Sequence, residues 1–231
     1  MTRVITPLIF GLAGVAILVS LGVWQMQRLT WKEAILADIE ARISAAPVSV
    51  PANAQEGRDT YLPIFESGEI GAGEIHVLVS QKRIGAGYRI IAPFTLADGR
   101  TVLLDRGFTK TENKATERAK GPADVTGNLH WPDEKGSAIP EPDMAANIWF
   151  ARDVPAMAAA LGTEPTLIIA RDVTPADPQM TPLPVDTSGI PNDHLQYAVT
   201  WFSLAVIWAI MTLYFLWRAR PVTRRTEGPN A

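Results

Sequence analysis

Two long stretches without a charged residue constrain the fold more than any other feature of the sequence. They are Val4–Gln27 and Leu195–Trp217. Each exceeds the roughly 20 residues that an α-helix needs to cross the hydrocarbon core of a bilayer. The first stretch is also too long for the apolar region of a signal peptide, about 7–15 residues, and it ends without a small-residue cleavage site. We therefore predict two retained transmembrane helices, at residues 4–25 and 194–217.

Charged residues beside the spans predict the orientation of the chain. Asp193 precedes the second span, and four arginines follow it: Arg218, Arg220, Arg224 and Arg225. Cytoplasmic flanks of membrane spans are enriched in Lys and Arg, so residues 1–3 and 218–231 are expected to be cytoplasmic. Residues 26–193 then form an exported domain. Because no Arg-rich amphipathic leader precedes the first span, we expect a bacterial inner-membrane protein with a periplasmic domain.

The composition narrows the classes of function. The formal net charge is −3, whereas a nucleic-acid-binding protein needs a basic patch, so nucleic acid is not an expected partner. The sequence has no cysteine, which excludes disulfides, thiolate metal sites and c-type haem attachment. Neither G-x-S-x-G nor H-E-x-x-H occurs. We expect a protein that is not an enzyme and whose partners include the lipid bilayer.

Between the spans, the hydrophobic period is first helical and then alternating. Apolar residues keep a helical spacing after the first span until Pro47. Alternating patterns then predict strands at 74–81, 87–96, 100–108, 125–130, 147–151 and 166–173. Ala97-Asp98-Gly99 is a hairpin signal between the second and third of these.

Residues 154–161 have the pattern of a short helix, with Asp153 as its N-cap and Gly162 just past its end. The predicted fold class is therefore α+β. Two transmembrane helices flank a mainly antiparallel β-sheet domain that contains one or two short helices.

The candidate site begins where the second span begins. If its helix starts near Asp193, then His194, Tyr197 and Trp201 lie at i, i+3 and i+7 on one face. His194 is one of only three histidines. One interpretation is an interfacial aromatic belt with a polar contact between helices. The other is an axial ligand with an aromatic platform for a flat apolar macrocycle.

The end of the first span carries complementary residues. Trp24, Arg28 and Trp31 share one helical face, and Gln25, Arg28 and Lys32 share an overlapping one. One interpretation is that the basic side chains of Arg28 and Lys32 extend into the lipid headgroup layer. Haem, however, needs a nitrogen ligand, an apolar surface for its ring and cations for its propionates, and the two helix ends together offer all three.

The remaining two histidines carry no such signal. His76 falls on the polar face of a predicted strand, and His130 precedes a Trp-Pro turn. We expect both to be surface or turn residues.

Three stretches resemble the Surfeit locus protein 1 family of cytochrome c oxidase assembly factors. They are Leu21–Lys32 (LGVWQMQRLTWK), Gly87–Phe108 (GYRIIAPFTLADGRTVLLDRGF) and Asn192–Ala205 (NDHLQYAVTWFSLA). The departures are mild: Asp105 and Asp193 stand where the family commonly has Asn, and Phe108 where it commonly has Trp. The arginine and histidine of these motifs are retained.

The resemblance implies an assembly factor for haem-copper (aa3-type) cytochrome c oxidase. Such a factor binds haem a as transient cargo and assists its insertion into oxidase subunit I, with haem a synthase as a further candidate partner. The histidine that the family uses for haem corresponds to His194, which makes it the candidate ligand of the haem iron. An alternative is a membrane-anchored scaffold that stabilises an oxidase assembly intermediate without binding haem.

Five further residues are candidates for contact with haem. They are selected for their predicted depth, their charge or their position on the His194 face: Trp24, Arg28, Arg106, Tyr197 and Trp201. For Arg106, a structural role in its hairpin is the alternative.

Overall fold

The structure, a computed structural model, describes residues 2–82 and 84–219. It divides into two units. The helical unit holds the described residues up to Ala37 and from Ser188 onward, and the sheet unit is Asp38–Thr187. Three of the arginines behind the orientation prediction, at positions 220, 224 and 225, lie outside the described residues.

The described chain forms four α-helices and six strands. The helices are α1 (Thr2–Ile43), α2 (Glu56–Asp59), α3 (Val154–Leu161) and α4 (His194–Arg218). The strands are β1 (Pro63–Ile70), β2 (Ile75–Gln81), β3 (Gly85–Leu96), β4 (Thr101–Lys110), β5 (Gly121–Leu129) and β6 (Leu167–Thr174). A short 3-10 helix, Thr111–Asn113, follows β4.

Helices α1 and α4 are long and apolar enough to cross a membrane. Most of their large apolar side chains are exposed, among them Phe10 at 72% and Leu213 at 66%. A helix that is apolar all round and not buried in protein is typical of a membrane span. The predicted pair of apolar helices is thus confirmed.

Helices α1 and α4 pack as an antiparallel pair through glycine positions. Gly11 faces Thr212, whereas Gly22, further along α1, faces Phe202, which comes earlier in α4. A Cβ atom added at Gly22 would lie 2.6 Å from a ring carbon of Phe202. The missing side chain therefore lets the aromatic ring rest on the helix backbone, as small residues do between membrane helices.

The six strands form one mixed sheet in the order β1-β5-β6-β4-β3-β2. β1 also pairs with β3, between Gly68–Ile70 and Phe94–Leu96, so five of the strands close into a ring. Every pairing is antiparallel except that of β4 with β6. The predicted mainly antiparallel sheet domain is confirmed.

Strands β4 and β6 are buried on both faces. Leu104 and Ile168 belong to one core, whereas their neighbours Leu103 and Ile169 belong to a second core with Met157 of α3. Successive side chains of a strand point to opposite faces, so two cores require an uninterrupted apolar run. That explains the sequences VLL in β4 and LII in β6, which do not alternate.

Local signals predicted two features correctly. The hairpin between β3 and β4 turns at Asp98 and Gly99, and Gly99 has φ +87°. α3 begins after Asp153, whose carboxylate accepts a hydrogen bond from the Ala156 amide, and ends at Gly162 in the left-handed conformation.

Two predictions of strands need correction. β1 was not predicted, because its pattern is interrupted by Gly68 and its middle is partly exposed; it depends on pairing with β5 and β3. Residues 147–151 were predicted as a strand, but they form only isolated bridges. Trp149 exchanges backbone hydrogen bonds with His76 and Leu78 on the outer edge of β2.

The last residues of α1, from Asp38 onward, belong to the sheet unit, and two side chains of that unit bind the helix end. Asn128 donates a hydrogen bond to the Ile43 carbonyl oxygen at 3.1 Å, and Arg171 donates a second at 2.8 Å. The last carbonyls of a helix lack partners within the helix, so these two donors explain why α1 ends there, four residues before Pro47.

Candidate functional site

The helical unit brings His194 together with Gln25. His194 is the first residue of α4, and its Nδ1 lies 2.8 Å from Oε1 of Gln25 in α1. Gln25 is 9% exposed, which is unusual for a polar side chain on an apolar helix. The two residues are 169 positions apart in sequence, so their contact is a product of the antiparallel packing.

The contact determines which ring nitrogen of His194 carries hydrogen. The amide oxygen of Gln25 can only accept, so Nδ1 must donate. In the neutral ring, Nε2 then keeps its lone pair, and it makes no hydrogen bond within the described residues. Histidines that bind metals show this arrangement, in which a partner on one nitrogen orients the other toward the metal.

The other candidates of the helical unit make fewer polar contacts than this pair. Trp24 and Tyr197 are 50% and 55% exposed, and Trp201 is partly buried. None of the three makes a side-chain hydrogen bond in the described part of the chain. The Arg28 guanidinium lies 4.3 Å from the centre of the Trp31 ring, so this cation is held beside an aromatic face.

Arg106 belongs to the sheet unit. Its side chain is 4% exposed and donates from Nη2 to Oδ2 of Asp177 at 3.0 Å. This ion pair links β4 to the segment that follows β6, which is a structural contact outside the hairpin. Its role toward haem stays a prediction.

The expectation for His76 was wrong, because His76 is buried. Its ring is 5.7 Å from that of Tyr88, and its Nε2 lies 2.7 Å from Oε1 of Glu74. Residues 147–149 cover the edge of β2 beside it, through the hydrogen bond from the Trp149 amide to the His76 carbonyl. A local pattern of alternation cannot reveal such a cover, which comes from about 70 residues further along the chain.

His130 is partly buried and stacks on Tyr61, with ring centres 5.2 Å apart. Burial, together with the positive charge of Arg152, lowers the pKa of His130 to about 4. The ring is therefore neutral at pH 7.

Glu74 is the centre of a cluster that sequence reasoning missed. Its Oε1 contacts both Nε2 of His76 and Nη1 of Arg118, the latter at 2.5 Å. Burial alone would raise the pKa of Glu74, but the hydrogen bond from His76 and the charge of Arg118 hold it below its usual value. The partners are up to 44 residues apart, and no local signal indicates them.

A second group of charges, partly buried, surrounds Asp105, which is itself 0% exposed. Nη1 of Arg89 lies 2.5 Å from its carboxylate, and the Gly107 amide donates to it at 2.9 Å. Arg152 lies 3.8 Å away and also pairs with Glu134. Asp105 therefore stands between two guanidinium groups inside the domain.

The protein belongs to the class of membrane-anchored proteins with one folded β domain. Its two apolar antiparallel helices are the anchors, and the sheet domain is inserted between them in the sequence. The sequence matches the SURF1 family over residues 12–206, from the first half of α1 to the first half of α4. This match covers most of the chain. The chain belongs to the SURF1 family, which confirms the resemblance seen in the sequence.

Several relatives have similar sequences over most of their length. Surfeit locus protein 1 of Homo sapiens is 30% identical over 210 residues, covering 80% of this chain and 69% of that protein. The SURF1-like protein of Drosophila melanogaster is 32% identical over 230 residues, covering 88% and 74%. The SURF1-like protein of Rickettsia conorii is 28% identical over 215 residues, covering 88% of each chain. Membership of this family implies a role in cytochrome oxidase assembly.

Proposed function

We propose that this protein is an assembly factor for aa3-type cytochrome c oxidase. It holds haem a transiently between its two membrane helices and assists haem insertion into oxidase subunit I. Family membership supports the role in oxidase assembly. The observation that carries the haem part is the contact of His194 with Gln25, which leaves Nε2 of His194 available to a metal.

The residues of the helical unit fit haem by their chemistry. His194 supplies a nitrogen ligand, the exposed rings of Trp24 and Tyr197 supply apolar surface, and Arg28 supplies a cation for a propionate. A single histidine on partly exposed helices suits cargo that must later be released. Because haem is cargo and no step of covalent chemistry is needed, the protein acts as a carrier and not as an enzyme.

We further propose that the protein lies in a bacterial inner membrane, with both termini cytoplasmic and the sheet unit periplasmic. Arg218 directly at the end of α4 and Asp193 directly before it support this orientation. The sheet unit is then on the side where it can contact subunit I, with haem a synthase as a second candidate partner.

A visible absorption spectrum tests the proposal. The full chain is purified in detergent from cells that make haem a, and in parallel from cells that cannot. We expect a haem a band in the first preparation only. A colourless protein from haem a-containing membranes would contradict haem carriage, and co-purification of subunit I with that colourless protein would support the scaffold alternative.

The contact of Gln25 with His194 makes a separate prediction. Replacing Gln25 with leucine removes the acceptor that orients the His194 ring, so we expect haem affinity to fall by roughly tenfold to a hundredfold, as for other partners of metal-bound histidines. The measurement is a titration of the haem-free protein with haem, followed by absorbance.

The matched control for this prediction is Gln27→Leu. Gln27 is two positions away on the same helix and is exposed, so the same change of side chain there should leave haem affinity unaltered. Gln25→Glu retains an acceptor and should retain more affinity than Gln25→Leu. Equal affinities for the leucine variants at 25 and 27 would argue against an orienting role of Gln25.

A further inference from the structure

A cavity of about 390 Å³ opens in the sheet unit, beside the start of β2 and the segment that follows the 3-10 helix. Its volume lies near the lower end of the range for small-molecule sites, about 300–1,000 Å³. Four cationic side chains line it: Arg106, Lys114, Arg118 and Lys120. The carboxylates among its lining residues are those of Glu74 and Glu117. Cations therefore outnumber anions around the cavity.

Arg106 is the least satisfied of these cations. It has five N–H donors, and its single hydrogen bond goes to Asp177. The other four N–H donors make no hydrogen bond within the described residues, and Nε and Nη1 are not among the fully buried atoms without a partner. Burial lowers the pKa of Arg106 below its usual value, despite the opposing charges of Asp177 and Glu74. Arg106 lines this cavity and also a second one beside Asp177 and Met180, so its unpaired donors are accessible to a ligand.

The carboxylates nearby are already engaged. Oε1 of Glu74 accepts from both His76 and Arg118. Asp177 accepts from the backbone amides of Ala119 and Gln179 in addition to Arg106. These groups anchor the wall of the cavity, and their hydrogen bonds do not satisfy the free donors of Arg106.

Two other cations of the cavity, Lys114 and Arg118, also have N–H donors that make no hydrogen bond within the described residues. Lys114 donates to the carbonyl oxygen of Ala146 at 2.5 Å, which uses one of its three ammonium hydrogens. Nε of Arg118 is buried without a hydrogen-bond partner. Glu117 is 85% exposed and pairs with Lys120, so it neutralises the rim of the cavity more than its interior.

We propose that this cavity binds a small organic oxyanion, a di- or tricarboxylate or a phosphate ester, through Arg106 and Lys114. The planar guanidinium group matches the oxygens of carboxylates and phosphates, and the ammonium group adds a point charge. The volume exceeds what a single inorganic ion would fill. This site goes beyond the role in oxidase assembly and does not depend on haem binding.

Isothermal titration calorimetry on the full chain in an uncharged detergent tests this site. Citrate and glycerol 3-phosphate are the two probes, each at an ionic strength matched with sodium chloride. We expect saturable binding of at least one of them, and the stronger probe identifies the site as one for carboxylates or for phosphates. Lys114→Gln should weaken that binding about tenfold, the effect of losing one hydrogen bond to a charged group.

Lys110→Gln is the matched control, because it removes the same charge from an exposed side chain that forms an ion pair with the exposed Glu112. Arg106→Gln should weaken binding more than Lys114→Gln; if it impairs folding, the lysine variants still decide the question. Absence of saturable binding of both probes would overturn the proposal. An equal loss of affinity in Lys110→Gln and Lys114→Gln would also overturn it, because the loss would then come from the overall surface charge and not from a contact in the cavity.

Discussion

Replacing His194 with alanine should abolish the haem a band of the purified protein. The variant loses the nitrogen that is proposed to bind the iron, and the loss of affinity should exceed the roughly 10–100-fold effect of losing a partner of such a ligand. Alanine is compatible with the first turn of α4, since it is the strongest helix former. The measurement is the absorption spectrum of parent and variant, purified from the same haem a-producing cells.

Gln196→Ala is the control for this prediction, because Gln196 lies two positions further along α4 and is exposed. It should retain the haem band of the parent. Circular dichroism and thermal unfolding of His194→Ala establish that the helices are intact, because the variant leaves the amide of Gln25 without its partner at a cost of about 1–3 kcal/mol. A folded His194→Ala protein with a full haem a band would rule out His194 as the ligand.

Replacing Asp105 with alanine should lower the free energy of unfolding of the sheet unit by about 3–5 kcal/mol. The carboxylate is 0% exposed and lies between Arg89 and Arg152. Without it, two partly buried cations face each other, and Glu134 remains to compensate only Arg152. The amide of Gly107 also loses its acceptor. The effect is large because breaking a buried pair leaves uncompensated charge.

Chemical denaturation of the full chain in detergent, followed by tryptophan fluorescence, measures this effect. Trp149 of the second core is a suitable reporter, since it is 3% exposed in the folded protein. Asp124→Ala is the control: Asp124 is an exposed residue of β5 that contacts Ser67, and its removal should change stability by less than about 0.5 kcal/mol. Equal stabilities of the two variants would show that the charges around Asp105 are not a stabilising unit.

Asp105→Asn should be milder than Asp105→Ala. The amide keeps the shape of the side chain and an oxygen for the Gly107 amide, but it loses the negative charge between the two arginines. The resemblance to the family sets Asn at this position, so the aspartate of this chain is expected to add stability through charge alone. The same denaturation experiment compares the three proteins.

The parts of the fold that the sequence predicted are those with local causes. The cap at Asp153 and the left-handed Gly162 delimit α3 within ten residues, and Gly99 permits the turn between β3 and β4. β1 has no such signal. Its central residues are partly exposed, and it is a strand because β5 and β3 supply hydrogen bonds on its two sides.

The residues of the candidate site also divide into those that the sequence could predict and those that it could not. His194 was identifiable because an ionisable residue at the start of an apolar run is conspicuous and because its motif resembles that of a family. Its partner was not, because the face of the first helix that Gln25 shares with Arg28 and Lys32 does not indicate a contact with His194. The sequence could not predict the burial of His76 or the cluster of Glu74 with Arg118 either. Each depends on segments that meet only in the folded sheet unit.

The sequence by itself determined the two apolar helices, the mainly antiparallel sheet domain between them and the family. These follow from runs of uncharged residues, from the period of the apolar positions and from motifs, all of which are properties of neighbouring residues. Only the tertiary structure decided which ring nitrogen of His194 is engaged, which carboxylate neutralises Arg89 and which donors of Arg106 are left without acceptors. Those outcomes depend on side chains far apart in the sequence, since hydrogen bonds and ion pairs form between whichever groups the packing of helices and strands brings within about 3 Å.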